Sequence, residues 1–220
     1  MRIALIYRWC IVLMLGLVAQ PILAQGQKNS RRNENYTPTM KGTPGYYDKT
    51  VRHLFRQGLW GTGKKLLDEG LSKYETLSAL NELMGSYWLH YKKYDKARYF
   101  LIRSLRDDNK NPQTLQMLMK VEEMTQHYSS AIVYCNQLLE LAPYEYTLWR
   151  KKIELYRLQG NNVEAIKMLK RLGEIYPDRE EVRREIAGDY ETRYRRFKEK
   201  RNIAGQEETL RELVRLVPKD

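Results

Sequence analysis

The sequence predicts an all-α protein, a solenoid of about five antiparallel helix pairs, and three observations predict it. The first is a period. The stretches YDKARYFL, YSSAIVYC and NVEAIKML place Ala97, Ala131 and Ala165 34 residues apart. The second is an independent mark in the same register, since Asn109, Pro143 and Pro177 each follow one of these alanines by twelve residues. The third is composition: from Pro44 onward leucine, lysine, arginine and glutamate dominate, and prolines are confined to Pro112, Pro143, Pro177 and Pro218. Prolines at such gaps punctuate helices, because they terminate a helix or start the next one.

Ahead of the repeats the chain reads differently. Arg2 and Arg8 precede an apolar run, WCIVLMLGLVA (Trp9 to Ala19), and small Ala24 follows at a cleavage-like position, so residues 1–24 read as a secretory signal peptide. The competing reading, a membrane anchor, needs ~20 apolar residues, and the run is well short of that. Cleavage leaves Gln25 as the N-terminus and removes Cys10, so Cys135 has no internal disulfide partner. A metal site would then depend on histidine and carboxylates. No lipobox cysteine follows the apolar run. Residues 25–43, QGQKNSRRNENYTPTMKGT, are polar and almost free of aliphatic side chains, which predicts a flexible linker.

The array then spans 44–220, with repeats at about 44–77, 78–111, 112–145, 146–179 and 180–220. The second repeat offers Gly85 and Trp88 on a first helix, Tyr94 at the turn, and Ala97, Leu101, Ser104 and Leu105 on a second. The third offers Leu115, Leu118, Tyr128, Ala131, Cys135, Leu138 and Pro143; the fourth offers Trp149, Tyr156, Gly160, Ala165, Leu169 and Pro177. This pattern resembles the tetratricopeptide repeat (TPR), whose unit of about 34 residues is a pair of antiparallel helices. The outer repeats are looser. In the first, Leu54, Gly58, Trp60, Gly63 and Leu67 fall at matching places, with Gly63 and Gly70 expected to weaken the second helix. The last has seven residues beyond the period, about two helical turns, which places an extended first helix over EEVRREIAGDYETRYRRFKEKR.

The register decides how to read YWLHYKKYDKARYF, Tyr87 to Phe100, where aromatics alternate with cations as on a base-stacking surface. Trp88, Tyr94 and Ala97 occupy packing positions and belong to the core, which leaves Tyr87, Tyr91 and Tyr99 as candidates for exposure. The formal net charge of +12 and pI near 9.6 favour acidic partners or anionic surfaces. The resemblance implies a right-handed superhelix whose concave face, lined by first helices, takes a peptide or partner protein. By that register the groove residues are Arg52, Phe55 and Arg56, then His90, then Lys120 and Met124, then Arg150 and Arg157. They predict a basic, partly apolar groove, against the plain alternative of solvated helix faces. The family's carboxylate clamp for chaperone tails is absent, since its positions hold Asp48 and Arg52, then Leu83, then Gln113 and Met117.

Catalysis finds little support, and no cofactor or metal is implied. His53, His90 and His127 are 37 residues apart, so they drift against the 34-residue period and face different directions. Cys135 sits at a packing position, and no phosphate-binding glycine loop or nucleophile elbow is present. The basic run Arg193 to Arg201 would suit nucleic acid in a cytoplasmic protein; in an exported one it points to anionic glycan or lipid headgroups, or simply to a solvated helix. The expectation is a non-catalytic scaffold of the bacterial cell envelope, in the periplasm, that binds a protein or acidic peptide. The alternative is an accessory module of a polysaccharide or outer-membrane export system. Leu210, Leu213, Val214 and Val217 at the last helix predict an open end that continues, docks on a partner or self-associates.

Overall fold

The computed structural model describes residues 40–215; the expected signal peptide, most of the linker, and Val217 and Pro218 lie outside them. The described residues form ten α-helices and no strand: α1 (Pro44–Arg56), α2 (Trp60–Lys73), α3 (Ser78–His90), α4 (Tyr94–Ser104), α5 (Pro112–Met124), α6 (Tyr128–Leu141), α7 (Tyr146–Leu158), α8 (Asn162–Ile175), α9 (Glu180–Glu199) and α10 (Ile203–Arg215). Each odd helix packs on the even one after it, which makes five antiparallel pairs. The all-α solenoid predicted from the period is the observed architecture.

One turn geometry closes every pair. Gly58, Lys92, Gln126, Gly160 and Arg201 all have positive φ, between 54° and 81°. The next residue's amide then reaches back five positions: Leu59 N–H donates to the Leu54 carbonyl, Lys93 to Trp88, His127 to Glu122, Asn161 to Tyr156 and Asn202 to Phe197, all at 2.8–2.9 Å. This is a Schellman closure, which satisfies carbonyls that the ending helix would otherwise leave unpaired. The left-handed residue is easiest for glycine, and three of the five turns do without it. Gln126→Gly is therefore expected to raise stability by about 0.5–1 kcal/mol, as a higher midpoint in urea with an unchanged slope.

In the first three pairs the first helices stand side by side, α1 against α3 and α3 against α5, and ion pairs from α7 to α5 and to α9 continue the row. Second helices make no comparable contact with one another, so the odd helices form the inner wall and the even helices the outer one. Ala97, Ala131 and Ala165 are fully buried between the helices of their pairs, where a small side chain allows close approach. The glycines of the first pair have the same role. A Cβ on Gly63 would lie 2.6 Å from the Phe55 ring, and one on Gly70 would lie 2.9 Å from the Tyr47 ring. The helix propensity lost at these glycines is thus exchanged for aromatic packing of Tyr47, Val51, Phe55, Leu67 and Leu80.

The α9 helix is 20 residues against 13 for α7, about two turns longer. The final helix, α10, buries Thr209, half-buries Leu213 against α9 and leaves Ile203, Leu210 and Val214 exposed.

Candidate binding groove

The inner wall carries two open depressions. The larger, about 480 Å³, runs across α1, α3 and α5 and is lined by Arg52, Leu83, Leu89, Gln113, Met117 and Lys120, with Glu82, Ser86 and Gln116 between them. The smaller, about 360 Å³, lies along α7 and is lined by Tyr146, Arg150, Lys151, Glu154 and Arg157 among others. The helix period explains the grouping: residues three, four and seven apart on one helix share a face, as Gln113, Gln116, Met117 and Lys120 do.

Electrostatically the wall differs from its sequence reading. Most of its cations are matched by a carboxylate on a neighbouring first helix. Arg52 Nη1 lies 3.0 Å from Glu82 Oε1 and its Nε 2.8 Å from Asp48 Oδ1. Lys151 Nζ is 3.1 Å from Glu123 Oε1. Arg150 and Arg157 both bind Glu185 on α9, with Arg157 also 3.9 Å from Asp189. Burial pushes the Glu185 carboxyl upward, but the hydrogen bonds from Arg150 and Arg157 outweigh it and hold the group below the usual carboxylate range. Asp189, half-buried with weaker compensation from Arg157, is shifted upward by desolvation. The expected basic groove is therefore a ladder of ion pairs that ties repeat to repeat, and composition alone could not reveal it because each partner on a neighbouring helix lies about one repeat away in sequence.

The sequence-predicted groove residues separate into groups. Arg52 and Lys120 line the large depression, and Arg150 and Arg157 line the small one. Phe55 is a correction: it is buried in the first core, stacked on Trp60 with ring centroids 4.5 Å apart, because the α1 face that bears it turns toward α2. His90 lies at the end of α3 and stacks on Trp60 at 3.9 Å. Arg56 and Met124 are exposed in the last turns of α1 and α5, at the same end of their pairs as His90. Lys120 is the wall cation in the large depression that makes no ion pair with another described residue, and the side chains of Ser86, Gln113 and Gln116 likewise have no described hydrogen-bond partner. Sequence reasoning named Gln113, Met117 and Leu83 only as departures from a clamp; all three line the large depression.

Two buried glutamates brace this wall. Glu82 joins three repeats, with Arg52 on one carboxylate oxygen and Asn111 Nδ2 (3.1 Å) and Thr114 Oγ1 (3.4 Å) donating to the other. Glu122 stands at the register of Trp88 and Tyr156, where a ring would pack. It instead takes a forked contact from Arg98, Nε at 2.6 Å and Nη2 at 3.1 Å, while His127 Nδ1 lies 3.1 Å away. Cys135 is buried, its thiol pushed up to about 11 by desolvation, and its Sγ lies 3.4 Å from the Leu148 carbonyl. That is an inert packing thiol, the opposite of a lowered, nucleophilic one. Among the described residues no three histidine, cysteine or carboxylate side chains are grouped to hold a metal ion.

The stacked helix pairs, Schellman turns and small crossing residues define a TPR-type α-solenoid. Solved structures of MamA share it. One MamA crystal structure matches with a TM-score of 0.58 at 14% identity, over 82% of this chain and 99% of that one. MamA AMB-1 matches with 0.56 at 20%, over 80% and 98%, and MamA from Desulfovibrio magneticus RS-1 with 0.55 at 12%, over 79% and 94%. At such identities the likeness is one of fold. No protein-family model and no curated protein matches the chain.

Proposed function

We propose that the protein is a non-catalytic interaction scaffold that takes an extended segment of a partner protein into the depression across α1, α3 and α5. One observation carries this reading. An open, preformed hollow of about 480 Å³ combines an apolar floor of Leu83, Leu89 and Met117 with hydrogen-bonding groups that nothing else in the described chain uses. Gln113, Gln116 and Ser86 suit the amides and carbonyls of an extended main chain. Lys120 suits a carboxylate, and the floor suits an apolar side chain beside it. The fold supports the reading further, since solenoids present their inner wall as a binding surface. The partner segment is thus an apolar residue next to an acidic one, narrower than the acidic ligand expected from net charge.

The apolar run at Trp9 to Ala19 supports export and a place in the cell envelope, within the periplasm. Among the described residues no helix is long and apolar enough to cross a membrane. Panning a random peptide display against the full chain tests the groove. Enriched peptides are expected to pair an apolar residue with aspartate or glutamate, and to lose affinity on the order of tenfold against the Gln113→Ala/Lys120→Glu variant, with affinity falling as salt rises. Equal affinity for the variant, at an unchanged melting midpoint, would remove the groove from the account.

A further inference from the structure

Stacked hairpins sort their loops to two edges. The turns inside the pairs lie along one edge, and the connections between pairs lie along the other. The inside turns, residues 57–59, 91–93, 125–127, 159–161 and 200–202, contain no aspartate or glutamate. They hold Lys92, Lys93, Lys200 and Arg201, all exposed and none in an ion pair with another described residue. The connections between pairs, residues 74–77, 105–111, 142–145 and 176–179, hold the acids Glu75, Asp107, Asp108, Glu145 and Asp178 against the cations Arg106, Lys110 and Arg179, so they are net acidic where the inside turns are purely cationic. The charge of the array is therefore polarised from edge to edge, which the net charge does not reveal.

The cationic edge also carries aliphatic side chains that the fold leaves in water. Leu59, Met124, Leu158, Val163 and Ile203 lie in these turns or within two residues of them, and each is exposed, Val163 by 77% and Ile203 by 70%. They are spread over four of the five turns, so they form a row rather than one pocket. The helix that leads to the fifth turn, α9, is seven residues longer than α7, which is about 10 Å of extra helix at about 1.5 Å per residue. Lys198, Lys200 and Arg201 are exposed at its C-terminal end and in the turn that follows.

We infer that this turn edge docks on an anionic lipid surface, with the lysines and arginine among the headgroups and the aliphatic side chains reaching the acyl boundary. Charge selects an anionic partner, and the acidic opposite edge fixes the orientation. The aliphatics select lipid over a nucleic acid or an acidic glycan, since neither of those offers an apolar phase in which to bury leucine, methionine, valine and isoleucine. The surface is separate from the concave wall and leaves the groove open, so the inference does not rest on the proposed peptide site.

Flotation of the full chain with vesicles of phosphatidylcholine plus phosphatidylglycerol, and with phosphatidylcholine alone, tests it. Three variants are compared with the wild type: K92E/K93E/K200E/R201E, V163D/I203D, and R106E/K110E on the opposite edge. All share residues 1–39, so differences between them isolate the edges, and each is qualified by wild-type helical circular dichroism. The first variant is expected to lose partition into the anionic vesicles by tenfold or more, with partition into neutral vesicles unchanged. The second loses severalfold, and the third stays within about twofold of the wild type. The inference is overturned if the first two variants float as the wild type does, or if the opposite-edge variant loses as much. It is equally overturned if charge reversal abolishes heparin binding while V163D/I203D keeps full vesicle partition, which would reassign the edge to a polyanion.

Discussion

Glu122→Ala is expected to lower stability by about 3–5 kcal/mol, the range for breaking a buried ion pair by deleting one partner. Glu122 is nearly fully buried, and its forked contact from Arg98 joins α4 of the second pair to α5 of the third. Deleting it leaves the Arg98 guanidinium, itself only about a quarter exposed, with Thr125, His127 Nδ1 at 3.2 Å and the solvent-exposed Asp95 as its remaining partners. The interface between the two pairs would then hold a guanidinium whose one carboxylate partner, Asp95, is almost fully in solvent. A double variant separates this cost from simple loss of volume. Arg98→Leu together with Glu122→Tyr removes both charges and restores the ring that Trp88 and Tyr156 supply at the same register. It should recover most of the loss, since apolar replacement of a whole buried pair is often neutral or stabilising. Chemical denaturation checks both. A Glu122→Ala midpoint within error of the wild type would show that the pair contributes nothing net.

Gly85→Val is expected to cost about 3 kcal/mol or more, at or beyond the top of the usual overpacking range. A Cβ on Gly85 would lie 2.5 Å from both Cγ and Cδ2 of Leu101, a side chain that is itself fully buried. Leu101 cannot yield into a cavity, because it packs with Ala97, Leu118 and Val121. The α3–α4 crossing would have to open, and the register of the second pair with it. Thermal melting, with Gly160→Ala as a reference at a glycine whose Cβ would meet nothing within 4 Å, distinguishes steric overlap from a general loss of glycine. The reference bears its own small cost from a φ of +81°. Gly85→Val melting at or above that reference would rule out the close approach.

By itself the sequence determined the class, the helix pairing and much of the packing. Two marks in one register, the alanines and the residues twelve further on, encode a hairpin that repeats, and local physics then fixes the rest of each pair. Small residues lie where helices cross, and the same residue of every turn enters the left-handed region. Such features depend on neighbours within one period, so they are legible in a linear chain. Even the longer α9 followed from counting seven surplus residues. Local reading erred at Phe55, where placing a side chain on the inner wall needs the rotation of its helix to within about a third of a turn; here that rotation is set by the close approach of Phe55 to Gly63.

Only the tertiary structure decided the electrostatics. Arg52, Arg150 and Arg157 read as free groove cations until stacking brought Glu82 and Glu185 to them from the following first helix, 28–35 residues along the chain. Stacking likewise exchanged an aromatic position for the Arg98–Glu122 pair, left Lys120 without a carboxylate among the described residues, and sorted the turns and connections to opposite edges. The physical reason is range. Helix formation and turn closure act over a few residues, whereas Coulomb contacts in a solenoid act between repeats, and which charges meet depends on superhelical rotation that no single repeat encodes.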